Sequence, residues 1–150
     1  MAIPISLHLL AAVIWVGGMF FSLLVLRPCC MEMEPPVRLA LMSKAVKRFF
    51  GWVWLAVVLL LLTGYWMIYA VYGGFAQLHW HVDAMLLLGN AMAVIFLVAF
   101  FGPYRKMQLA LAAQDNPGAG ANLNTIRKLI MTNLTLGLSL VLFGSLGRYF

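Results

Sequence analysis

The chain has 150 residues, of which 65% are apolar and only 9% charged, with a mean hydropathy of +0.99. A soluble globular domain carries roughly a quarter charged residues, so this composition excludes one and describes a single integral membrane domain over 1–150. The net charge of +6 is not a nucleic-acid footprint, because the basic residues sit in short connections beside apolar runs rather than along a polar face.

The first apolar run extends from about Ile5 to Leu26 and meets Arg27-Pro28. No basic region precedes it and no small-residue cleavage site follows it. It is long enough to cross the hydrocarbon and stay, and it does not read as a cleaved signal. Next comes "PPVRLALMSKAVKRFF", with Leu39, Met42, Val46 and Phe50 at helical spacing and Lys44, Lys47 and Arg48 turned away. That pattern predicts a short interfacial helix lying at the headgroups before span two. Span two covers about 49–72 and ends at Gly73-Gly74. Span three covers about 82–101 and ends at Gly102-Pro103. The stretch "AAQDNPGAGANLN" reads as a flexible turn region. Span four covers about 129–146, before Gly147-Arg148. Backbone groups in lipid must bond within their own segment, so each span is expected to be a helix. The fold expected is all-α: a four-helix transmembrane bundle.

Charge fixes an orientation. Arg27, Arg38, Lys44, Lys47 and Arg48 lie between spans one and two, and Arg105, Lys106, Arg127 and Lys128 flank the connection of spans three and four. Only Arg148 falls at the other end, so nine of ten basic residues share one side. The positive-inside rule makes that side cytoplasmic, with both termini outside. The expected location is a bacterial inner membrane with periplasmic termini.

That topology gathers unusual chemistry at the outer end. "QLHWHVDAM" (77–85) holds two of the three histidines and one of the four acids, and His8 lies near the outer end of span one. His8, Trp15, Met19 and Ser22 recur on one face of span one; His81, Met85, Gly89 and Met92 do so on span three. Polar groups in a bilayer normally face the bundle interior. His8 and His81 are therefore expected to oppose each other, with Met85 one turn below and Met67 on span two at comparable depth. His79 joins only if the helix begins after it. Imidazole and thioether suit copper and haem iron, not magnesium or calcium. At the other end, "CCMEM" supplies a second soft cluster of Cys29, Cys30, Met31 and Met33. Adjacent cysteines rarely bridge, which excludes a disulfide framework. Asp83 is most simply a favourable charge at a helix N-terminus. Gly17, Gly18, Gly64, Gly89, Gly137 and Gly144 are expected to let helices approach closely. No phosphate loop, nucleophile elbow or carboxylate pair is present, so hydrolase and kinase classes have no support.

"LHLLAAVIWVGGMFFSLLVLRP" resembles the first helix of the copper-resistance D (CopD-type) integral membrane family. "RFFGWVWLAVVLLLLTGYWMI", "HVDAMLLLGNAMAVIFLVAFFGPYRKM" and "IRKLIMTNLTLGLSLVLFGSLGRYF" resemble its following helices. The resemblance implies an inner-membrane protein of copper uptake or homeostasis, with His8, His81 and Met85 at matched positions. It does not extend to His79 or to Cys29-Cys30. More loosely, the chain resembles the HemJ-type haem-associated oxidases, although Asp83 stands where that family's lysine would fall.

Two chemistries therefore compete. One is a copper site of His8, His81 and Met85, assisted by His79 and Met67. The other is a haem b site with His8 and His81 as axial ligands, which would make the chain a haem-dependent membrane oxidoreductase. A third reading is a non-catalytic membrane subunit. The partners expected are the lipid bilayer, a periplasmic copper carrier and a second copy of the chain, with no nucleic acid.

Overall fold

The first apolar run is helical from Ala2 and does not stop at Pro28. A computed structural model, which describes residues 2–147 and 149 and leaves out the side chain of Gln77, carries it on to Cys30. A proline removes one helical hydrogen bond and crowds the carbonyl four residues back. Here the turn before it, Phe21–Leu26, widens to a π-helix, which gives the ring room and lets the helix continue. The same device recurs in the third span, where the π-helical Phe100–Tyr104 contains Pro103. That helix also continues, to Ala112, past the expected stop at Gly102-Pro103.

Four helices are long and apolar enough to cross a membrane: α1 (Ala2–Cys30), α2 (Pro35–Tyr72), α3 (Trp80–Ala112) and α4 (Asn116–Leu146). No strand occurs among the described residues. The segment expected to be a separate interfacial helix is helical, but it joins span two without a break. Its two prolines both sit in the first turn of α2, where a missing N–H costs nothing. No proline follows until Pro103. Its expected facing holds: Val46 and Phe50 are buried, and Lys44, Lys47 and Arg48 are exposed.

The expected flexible turn at 112–124 is mostly helix instead. Asp115 caps α4, its Oδ1 accepting from the Gly118 amide at 3.0 Å, with Pro117 in the first turn. A short polar cap followed by proline is a start signal that outweighs the Gly and Asn residues behind it. The turn itself shrinks to the residues around Gln114, which adopts φ 56°.

Helix α1 packs chiefly on α2, and α3 on α4; the two hairpins meet through α1 and α4. Between helices in lipid the driving force is contact, not water exclusion, so small residues set the spacing. A methyl at Gly137 would lie 2.8 Å from Val16 Cγ2 and 3.2 Å from Met92 Cε, while one at Gly18 would enter the Phe49 ring. Gly64 and Gly144 also touch neighbours, whereas Gly17 and Gly89 face open space. The core between these contacts is aromatic. Phe96 meets Trp15, Phe50 and Trp54 edge-on at centroid distances of 6.4, 5.4 and 5.2 Å, and Phe100 stacks on Tyr104 at 5.1 Å. Trp54 also meets Phe100 edge-on, at 5.3 Å, as part of this column. On the outside, mid-span Leu62 and Leu87 are 65% and 71% exposed, which is a lipid-facing surface rather than a solvated one.

Both basic connections lie at one end of the bundle, because residues of the α1–α2 connection and the start of α4 line a common cleft. The link 73–79 lies at the other end, where Gly147 packs on His81. Arg148, the one basic residue expected there, is outside the described residues.

Candidate metal centre

Thr63 is the sole Ser or Thr of the second apolar run, and it is buried against His8. His8 Nδ1 and Thr63 Oγ1 are 2.8 Å apart. The Thr63 hydroxyl proton is already committed, since the hydroxyl donates to the Leu59 carbonyl. A hydroxyl has one proton, so Thr63 accepts from His8, and Nδ1 must carry the hydrogen. That fixes the tautomer and leaves Nε2 with its lone pair free for a ligand bond. Gly64 completes the seat, because a Cβ there would come within 3.3 Å of His8 Cε1.

His81 is the second residue of α3 and packs against the end of α4. A Cβ on Gly147 would overlap its Cβ and Cγ. His81 Nδ1 is buried and has no hydrogen-bond partner among the described residues. Buried ring nitrogens are rarely left this way, and metal binding is one of the few reasons for it. Met85, one turn further along, lies with its sulfur 3.6 Å from where a Cβ on Gly144 would stand.

The condition on His79 is met. Helix α3 begins at Trp80, and His79 precedes it in an extended conformation (φ −76°, ψ 148°). Its ring centroid is 5.7 Å from that of His81 and 6.1 Å from that of Tyr72. It is exposed, whereas His8 and His81 are half-buried. Met67 is one turn beyond Thr63, on the same face of α2 and toward the same end.

Helix register relates the two halves. Val16 of α1 and Met92 of α3 converge on Gly137. Both helices run in the same direction, and eight residues back from this common level, about 12 Å along the axis, stand His8 and Ala84. His8 is thus level with the segment between His81 and Met85. Its hydrogen bond holds it to α2, while His81 is held by α4.

The described residues contain no group of three or more His, Cys, Asp and Glu side chains placed to hold a metal. The other soft donors at this end are the thioethers of Met85 and Met67, a ligand type that suits soft ions such as Cu(I). At the basic end, Cys29 is exposed and Cys30 buried, so the two thiols face different surroundings. Met31 and Met33 are exposed beside them. Between the ends, Met19 and Met92 are fully packed in the core.

Sequence reasoning does not assign Thr63 as the partner of His8. Its isolation in an otherwise apolar run was the available signal.

No curated protein and no solved structure matches the chain. The family model Copper resistance protein D (CopD) matches residues 43–146. The match takes in most of α2 and all of α3 and α4, including Met67, His79, His81 and Met85, while His8 lies outside it. With four helices of membrane-spanning length and that match, the chain belongs to the copper resistance protein D family of integral membrane proteins.

Proposed function

We propose that this protein binds copper at the histidine-bearing end of the bundle and takes part in copper uptake or homeostasis across a bacterial inner membrane. His8 Nε2, His81 and the Met85 thioether are the capturing groups, and His79 and Met67 assist. The observation that carries the reading is the Thr63-fixed tautomer of His8, which leaves a lone pair free at the depth of the segment between His81 and Met85, together with a buried His81 Nδ1 that has no partner among the described residues. Family membership supplies the link to copper.

The excess of basic residues at the opposite end supports a cytoplasmic side there and a copper site that faces the periplasm. There it would take the ion from a periplasmic carrier. The aromatic column below Trp15 fills the bundle interior, which favours capture at the outer end over a channel through one copy. Passage of the ion then needs a second copy or a partner chain.

The test is a competitive Cu(I) titration of the purified protein together with its absorption spectrum. The reading expects one tight copper per chain, weakened at least tenfold in His8→Ala and in His81→Ala. Unchanged affinity in both variants contradicts it. A Soret band that both substitutions abolish would put haem b, held by His8 and His81, in place of copper.

A further inference from the structure

The basic end holds an open cleft of about 710 Å³, within the range of small-molecule sites. Its walls come from three separate stretches: the inner end of α1, the first turns of α2 and the first half of α4. Leu23, Leu26, Leu39, Val46, Leu123 and Ile126 give it an aliphatic lining. Each stretch also contributes one arginine: Arg27, Arg38 and Arg127. The lining contains no carboxylate and no lysine, although four of the nine basic residues at this end are lysines. Arginine is the side chain suited to forked binding of phosphate oxygens. Arg127 is held in place, its Nε and Nη2 donating to Asn124 Oδ1 at 3.1 and 2.9 Å, and Asn124 is itself part of the wall.

We propose that this cleft is a binding site for an anionic phospholipid of the surrounding leaflet. An acyl chain lies along the aliphatic walls and the phosphate sits among Arg27, Arg38 and Arg127. An apolar slot rimmed by cations at the membrane boundary complements both halves of such a molecule, and basic pockets between membrane helices recognise acidic headgroups by this means. The site is remote from the histidine end and stands apart from the copper reading.

Native mass spectrometry of delipidated protein tests this, with phosphatidylglycerol, phosphatidylcholine of the same chains, and inorganic phosphate as probes. Phosphatidylglycerol is expected to bind at least tenfold more tightly than phosphatidylcholine, and phosphate alone not to bind. Arg27→Gln, Arg38→Gln and Arg127→Gln each weaken phosphatidylglycerol about fivefold and leave phosphatidylcholine unchanged. Lys44→Gln, outside the cleft, changes neither. Gly120→Leu keeps every arginine and fills open space in the wall; it weakens both lipids. Equal binding of the two lipids, a preference that survives removal of all three arginines, an equal effect of Lys44→Gln, or phosphate binding alone overturns the proposal.

Discussion

The His8 ring stands 2.8 Å from the Thr63 hydroxyl, and that hydroxyl's one proton points elsewhere, to the Leu59 carbonyl. A residue with no ligand atom of its own thereby decides which imidazole nitrogen is available. Thr63→Val keeps the shape and removes the acceptor. It is expected to weaken Cu(I) binding about 10–100-fold, the usual effect of losing such an outer partner. Thr63→Ser is expected to restore most of it. Competitive Cu(I) titration of the two variants checks this, and equal affinities in Val and Ser would mean that Thr63 only fills space.

The meeting of the two hairpins at Gly137 gives a stability prediction. Gly137→Leu drives a side chain into Val16 and Met92 and should destabilise the bundle by about 1–3 kcal/mol, the cost of overpacking. Gly89→Ala, facing open space, should be neutral or slightly stabilising through better helix propensity. Unfolding in detergent micelles, compared between the two, measures the difference. A Gly89→Ala protein as unstable as Gly137→Leu would contradict the helix packing.

Asp115 starts α4 through its bond to the Gly118 amide. Asp115→Ala should remove about 1 kcal/mol of local stability, and Asp115→Asn much less. Hydrogen exchange reads this directly. The first-turn amides of α4 should exchange about fivefold faster in the alanine variant, with the middle of the helix unaffected.

The sequence made the spans legible because lipid demands about 20 apolar residues per crossing, and no tertiary detail can hide that. Helix ends were less legible where prolines lay near them. Pro28 and Pro103 read as stops, but a π-helical turn at each lets the helix run on; whether a proline ends or merely kinks a helix depends on that turn, and composition does not encode it. The 112–124 stretch reads as a turn on its glycine and asparagine content, yet the Asp-Asn-Pro start makes most of it helix. Within the site, helix period gives only an expected depth for His8, His81 and Met85. The neighbours of each are not legible in it: Thr63 and Gly64 seat His8, and Gly147 seats His81. These are contacts between helices far apart in sequence, fixed only once the hairpins pack.

The central claim is that imidazoles from α1 and α3 hold one copper ion together with a thioether. X-ray absorption at the copper edge, on protein loaded with one Cu(I) per chain, tests it most directly. The account predicts imidazole scattering from two histidines plus one sulfur neighbour. It also predicts that His8→Ala and His81→Ala each remove one imidazole and that Met85→Leu removes the sulfur. A copper environment that stays the same in His8→Ala and His81→Ala, or one made of sulfur alone, would show that the ion resides elsewhere.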